Sequence, residues 1–313
     1  MIDRALTNGV RVSAWTFDEL YGRDGRFLDT LEQRGQVFVG EIPVDFHGWT
    51  RKPKILLEGP KNTGFGRSKG YPRLAAGYHS SEVRTLAQYS PVFRKQVWQR
   101  YRVKDTDKGP EVWEVKWAVF WRKDENGFPT RRHCLIVARN VLTGEVKYFL
   151  ANRVPGERNP ITGKYVTLRW LLRVAFGRWA IENCFRQTKE ELGMDHYEVR
   201  GWKCLHRHFY VTGLSHLFCA RMRQEYEDSS EDKLDRFSVE QIRSVTNVWL
   251  DAIDLSPVAR RERFEKELKK QRYHQRRNRQ ARESHTKTRR RELEALGIDV
   301  DKIKSCLLDT TEP

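Results

Sequence analysis

The chain has 313 residues, with 59 Lys and Arg against 42 Asp and Glu, a formal charge of +17. At roughly 150 residues per domain, this predicts one large or two modest domains. A 38% hydrophobic fraction with 12% aromatics argues against wholesale disorder, and no run of about 18 apolar residues exists to span a membrane.

In chain order, Arg11 to Phe17 (RVSAWTF) reads as a strand and Asp18 to Gly25 as a turn with two glycines. Arg26 to Gln33 suits a short helix with Phe27, Leu28 and Leu31 inward, and Gln36 to Val44 a second strand. Together they predict a βαβ-type unit with a parallel pair. Residues 45–95 read as loop-rich, and GPKNTGFGRSKGYP (Gly59 to Pro72) has the composition of an exposed loop. It lacks the Gly-Lys-Ser/Thr that a phosphate-binding loop places after four spacers. From Val97 to Leu150 the runs VWQRYRV, VWEVKWAVFW, RHCLIVAR and VKYFLA alternate with turn residues, predicting an antiparallel meander. Trp113, Trp117 and Trp121 then share one face of a strand.

After a Pro- and Gly-rich loop the chain turns helical. Thr167 is a candidate N-cap and Gly193 a stop, while Gly177 either kinks the stretch or divides it. Leu205 to Arg223 reads as a second, more apolar helix. His206 and His208 would point about 200° apart on it, which suits core and surface roles rather than a metal pair. The five cysteines (Cys134, Cys184, Cys204, Cys219, Cys306) contain no C-x-x-C pair and fit a reducing cytoplasm. Cys184 and Cys219 read as small buried hydrophobes. The first ten residues carry no apolar signal segment.

The charge is concentrated. Arg260 to Arg291 holds 15 Lys and Arg against 4 Glu. Its apolar positions, Phe264, Leu268 and Tyr273, are too few to bury a helix face. The segment is either a solvated helix or an arm that gains free energy by displacing counterions from nucleic acid, with Arg276, Arg277 and Arg279 at its centre.

One helical position stands out. At 100° per residue from Leu168, the polar Arg169, Arg173, Gln187 and Glu191 fall near about 100–140°, and Leu171, Ala175, Trp179 and Phe185 between about 260° and 20°. Glu182 falls near about 320°, inside the apolar sector, with Arg178 and Lys189 beside it. An Arg178–Glu182 pair at i,i+4 is one reading. The other is a carboxylate held at a core edge to bind a cation, flanked by bases for a phosphate backbone. Asp18, directly after the first strand, is a turn former or cap on its own. Strand carboxyl ends are also where α/β sheets place ligand groups, and with Glu182 it could hold Mg²⁺ through hard oxygen ligands.

These residues resemble those of insertion-sequence transposases with a DDE catalytic core. Trp15-Thr16-Phe17-Asp18-Glu19-Leu20-Tyr21-Gly22 is similar to the segment carrying that family's second acid, and Arg178-Trp179-Ala180-Ile181-Glu182, with Phe185 and Lys189, to the third. Arg178, Glu182 and Lys189 match the spacing of a Tyr-x2-Arg-x3-Glu-x6-Lys signature, although Ala175 stands at the Tyr position. His206-Arg207-His208 and QRYHQRRNRQARESH are also family-like.

The resemblance implies an α/β fold: an incomplete RNase H-like core with an antiparallel β-rich insertion and a helical basic C-terminal region. The expected segments are 1–45 (partial core), 46–165 (insertion), 166–226 (helical core part) and 227–313 (basic tail). It implies DNA cleavage and joining by two-metal phosphoryl transfer with Mg²⁺ or Mn²⁺, Asp18 and Glu182 being metal ligands. Arg178 and Lys189 would contact the DNA backbone. The partners implied are transposon ends and target DNA, with self-association left open and no membrane; the location implied is cytoplasmic and nucleoid-associated. The family's first acid has no counterpart, since Asp3 reads as part of a helix. The expectation is therefore a C-terminal part of a transposase, inactive alone. Two alternatives stand beside it: a non-catalytic DNA-binding remnant that inhibits transposition, and an unrelated nuclease built on Asp18, Glu19 and Glu182.

Overall fold

Apolar residues at every position of Cys134 to Ala138 and Tyr148 to Ala151 require strands covered on both faces. A computed structural model, describing residues 2–57, 71–229 and 237–307, has that arrangement. Contacts divide the chain into two units. Unit 1 comprises Met1–Thr106, Pro110–Arg178 and Arg289–Pro313, and unit 2 comprises Asp107–Gly109 and Trp179–Thr288. Segments 1–45 and 46–165 therefore fall together in unit 1 apart from residues 107–109, and 166–226 is divided after Arg178.

Unit 1 opens with helices α1 (Ile2–Thr7), α2 (Glu19–Gly22) and α3 (Gly25–Gln33). The short strands β1 (Val39–Ile42), β2 (His47–Trp49), β3 (Ile55–Leu56), β4 (Arg73–Leu74) and β5 (Ser81–Glu82) lead into α4 (Val83–Tyr89) and α5 (Pro91–Arg94). The long strands β6 (Gln99–Thr106), β7 (Gly109–Lys123), β8 (Pro129–Asn140) and β9 (Val146–Ala151) follow, and then α6 (Leu168–Gly177). Unit 2 carries α7 (Trp179–Leu192), α8 (Trp202–Ser229), α9 (Val239–Asp251) and most of α10 (Pro257–Ala295), and β10 (Lys304–Ser305) belongs to unit 1.

The architecture is mixed α/β. An eight-stranded sheet runs β1-β9-β8-β7-β2-β5, with β6 also on β7 and β10 parallel to β6. The expected meander is present as β7-β8-β9. It is not set apart from the N-terminal segment, because β9 also pairs with β1, Val39 opposite Ala151. Within 45–95 the described residues carry more regular structure than expected, since β2 and β5 extend this sheet. Most of Gly59–Pro72 lies outside the described residues.

Period-two alternation sends Trp113, Val115, Cys134, Ile136, Phe149 and Ala151 to one face, where Leu171, Leu172 and Ala175 of α6 cover them. Phe120, Leu135, Val137 and Leu150 face the other way, against Leu28 and Leu31 of α3 and Val83 of α4. Thr167 caps α6 by accepting from the Trp170 N–H at 3.1 Å. From the end of α10 onward the chain returns to the sheet: Leu293, Ile298 and Val300 bury Val112, and the Arg173 guanidinium donates to the Cys306 carbonyl at 3.1 Å.

The predicted first strand shrinks to one parallel bridge, Trp15 to Phe38. It is held by backbone hydrogen bonds between Trp15 and both Val37 and Val39 and by one from Glu41 to Phe17. Two glycines make the approach possible. A Cβ on Gly40 would lie 1.9 Å from the Phe17 ring, and one on Gly22 1.9 Å from the Glu41 carbonyl oxygen.

A polar cluster ties α3 to β8. The fully buried His133 ring meets the Arg131 carbonyl at 2.8 Å through Nδ1 and the Glu32 carboxylate at 2.7 Å through Nε2. Arg131 reaches the other Glu32 oxygen at 2.6 Å. Burial raises the Glu32 pKa, but the hydrogen bonds and charges of His133 and Arg131 together outweigh it and hold the carboxyl below its ordinary 4.5.

Gly22→Ala and Gly40→Ala should each lower the urea midpoint by the equivalent of about 1–3 kcal/mol without changing the slope. A depressed carboxylate stabilises fully above its ordinary pKa and ceases to do so as pH falls through the folded one. Stability should therefore drop on acidification below pH 4.5, and Glu32→Gln should remove that step while costing about 3–5 kcal/mol near neutrality. Urea titrations of both proteins across that range check this.

Candidate nucleic-acid interface

Phe17 is buried against Phe27 and Phe38, with ring centroids 5.1 and 5.6 Å away, so the next residue emerges beside β1. That residue is Asp18. It is half-buried and N-caps α2, its carboxylate accepting from the Tyr21 N–H at 3.4 Å. Glu19 is exposed, 3.7 Å from Arg23. Asp3 lies in α1 and pairs with Arg34.

Glu182 lies on α7 in unit 2, whereas Asp18 belongs to unit 1. Glu182 and Lys189 are exposed, with Phe185 between them on one stripe of the helix. Arg178, half-buried and helical in backbone, is the last residue before α7. Gly177 ends α6, so the stretch is two helices, and Gly193, at φ +69°, closes the second.

The orientation of α7 reverses the expectation. The sector holding Glu182 is not a core side: Ile181 and Phe185 are each half exposed. The packed side is the one the sequence marks as polar, because its polar groups find partners in unit 2. Glu191 pairs with Arg243 of α9 at 3.4 Å. Gln187 lies 3.4 Å from His216 of α8. The buried Thr188 donates to the Cys184 carbonyl at 2.7 Å, and Cys184 lies 3.9 Å from His216. On α8, His206 packs on Trp202 at 4.2 Å, while His208 bonds the Gly193 carbonyl at 2.9 Å. These are structural roles.

Among the described residues there is no group of three or more His, Cys, Asp or Glu that could hold a metal ion. Asp18 and Glu182 each offer one carboxylate, the first within unit 1 and the second within unit 2.

The cationic segment forms α10, 39 residues long. Arg276, Arg277 and Arg279 are all exposed. Arg279 lies 3.8 Å from Glu283, whereas Arg272, Arg276 and Arg277 have no carboxylate partner among the described residues. No helix among the described residues is long and apolar enough to cross a membrane.

A third feature escapes a reading for apolar positions. α10 does bury a stripe: Phe264 and Leu268 are half-buried, and Gln271 and Gln275 are buried. The spacings of four, three and four form a heptad seam written partly in glutamine. Continued through Asn278, Arg282 and His285, this stripe lines a cavity of about 620 Å³ in unit 2, with Trp179 and Asn183 of α7 opposite. The heptad spacing was the signal present in the sequence.

No protein-family model matches the chain, and no curated protein matches it.

If the polar side of α7 is the packed one, Phe185→Ser should change stability by less than about 0.5 kcal/mol. Glu191→Ala, which strands Arg243, should cost several times more. Thermal unfolding of the two variants decides between the orientations.

Proposed function

We propose that the chain is a transposase-like DNA-binding protein in which the exposed cations of α10, with Lys189 of α7 and Arg178, engage the phosphate backbone. The observation that carries this reading is the run of exposed arginines at Arg272, Arg276 and Arg277 on one continuous helix, none with a carboxylate partner among the described residues. Same-sign charge at that density repels itself, and a polyanion relieves the repulsion while releasing its condensed counterions. The resemblance of the Asp18 and Glu182 segments to DDE transposases adds the reaction class, DNA strand cleavage and joining on an RNase H-like core. Asp18 and Glu182 would each contribute one carboxylate to an Mg²⁺ or Mn²⁺ centre, which supplies charge stabilisation for phosphoryl transfer when bound. That centre takes further donors, so the chain alone binds DNA without cutting it. The second reading, occupation of element ends by a non-catalytic binder, rests on the same exposed cations of α10.

Duplex binding measured across salt concentrations tests the surface. The logarithm of the binding constant should fall linearly with the logarithm of salt, and replacing Arg276, Arg277 and Arg279 together by Ala should reduce the slope by about 2.7. Binding indifferent to salt, or an unchanged slope, overturns the reading. On supercoiled DNA with Mg²⁺ the purified chain should leave the substrate intact. Nicking abolished by Asp18→Ala and by Glu182→Ala would show that the chain assembles a complete centre.

A further inference from the structure

We propose that the cavity beside β2 in unit 1 is a binding site for a phosphate ester, whose oxygens accept from the Trp49 indole N–H and the Arg51 guanidinium. The ester is either a free nucleoside monophosphate or the backbone of a nucleic-acid strand. At about 420 Å³ the cavity lies within the range of small-molecule sites. It shares no residue with α10 and is lined by neither Asp18 nor Glu182, so this inference stands whether or not the transposase-like reading does.

The indole supplies the first argument. Trp49 is only 5% exposed, lines the cavity, and has its Nε1 buried with no hydrogen-bond partner among the described residues. An indole N–H can only donate, and buried donors are almost always satisfied. The side chain is not loosely placed. Trp49 lies opposite Trp121 of β7, and a Cβ on the preceding Gly48 would come within 2.2 Å of the Phe120 ring. Thr50, on the other side, is tied to the buried Ser90, the two hydroxyls 3.1 Å apart. The sheet therefore holds the donor in position, and the acceptor it lacks comes from outside the protein.

Charge supplies the second. Arg51 lines the same cavity, is exposed, and makes no hydrogen bond or ion pair among the described residues. Lys52 and Lys54 follow it along the chain, exposed and likewise without a carboxylate partner among the described residues. No Asp or Glu among the described residues lines the cavity, and Glu82 of β5 is already taken by Arg84 at 2.6 Å. An orphaned donor beside unpaired cations favours an oxyanion, and the guanidinium fork matches phosphate oxygens two at a time.

The third is what remains of the lining. The turn carrying Gly77, at φ +84°, brings Tyr78 and His79 to the cavity, and Leu86 of α4 joins them. Neither ring stacks on another among the described residues. An inorganic ion would leave most of this volume empty and these side chains uncontacted. An organic group carried on the phosphate fills it, and a sugar or base suits a lining of one aliphatic and two amphipathic aromatic side chains.

Calorimetry on the full chain tests this with thymidine monophosphate, thymidine, inorganic phosphate and a short DNA duplex. The expected result is saturable binding of the monophosphate or the duplex, weakened at least about tenfold by Trp49→Phe, which keeps a ring and removes the N–H, and by Arg51→Gln. Arg51 is exposed, so Arg51→Gln at an unchanged melting temperature decides the matter even where Trp49→Phe lowers it. Monophosphate binding that responds to these variants identifies a free ester as a sufficient ligand; a response confined to the duplex identifies the strand backbone. Thymidine or inorganic phosphate binding as tightly as the monophosphate overturns the proposal, and so does affinity for monophosphate and duplex that Arg51→Gln leaves unmoved. Duplex binding that responds only to replacement of Arg276, Arg277 and Arg279, with no monophosphate bound, supports the α10 surface and overturns the cavity.

Discussion

The sheet of unit 1 depends on one constraint: β9 is paired along both edges and covered on both faces. Ala151 lies opposite Val39 of β1 on one side and Cys134 of β8 on the other. A strand so placed can hold no solvated side chain, which is why Tyr148 to Ala151 is an uninterrupted apolar run. The double pairing also joins the N-terminal segment to the meander. Without it, β1 and the Trp15–Phe38 bridge beside it would have no sheet to rest on, and the position of Asp18 would be undetermined. Gly22 and Gly40 complete the arrangement by letting backbone and ring approach where any Cβ would intrude.

Much of unit 1 was legible in the residues because its driving force is burial of apolar area, which leaves a periodic trace. The β7-β8-β9 meander, α3 with Leu28 and Leu31 and the Thr167 cap follow from period and capping chemistry. Unit 2 was less legible because polar groups are buried there. An amphipathic wheel assigns α7 its core side by hydrophobicity alone, and it fails where Glu191 finds Arg243 and Gln187 finds His216. Partners on other helices are invisible to a single-helix pattern. The same blindness hides the inner stripe of α10, whose heptad spacing survives although glutamine replaces leucine at Gln271 and Gln275.

The candidate residues divide the same way. Arg276, Arg277, Arg279 and Lys189 are exposed, as surface phosphate contacts must be. Asp18 emerges at the end of a parallel-bridged segment, where the reading of strand ends placed it. Glu182 is exposed rather than set against a core, so the burial argument for its importance does not survive, and its case rests on spacing and resemblance.

The length of α10 sets how its charge acts. At 1.5 Å per residue its 39 residues extend about 58 Å, some seven times the roughly 8 Å Debye length of physiological saline. Arg276, Arg277 and Arg279 lie within about 5 Å along the axis, whereas Arg261 is over 20 Å away. In the cell the rod is therefore electrically segmented: each knot of guanidinium groups is felt locally, and deleting one leaves the distant ones unperturbed. Only in dilute buffer, where the screening distance rises to about 30 Å, do the knots merge into one extended field.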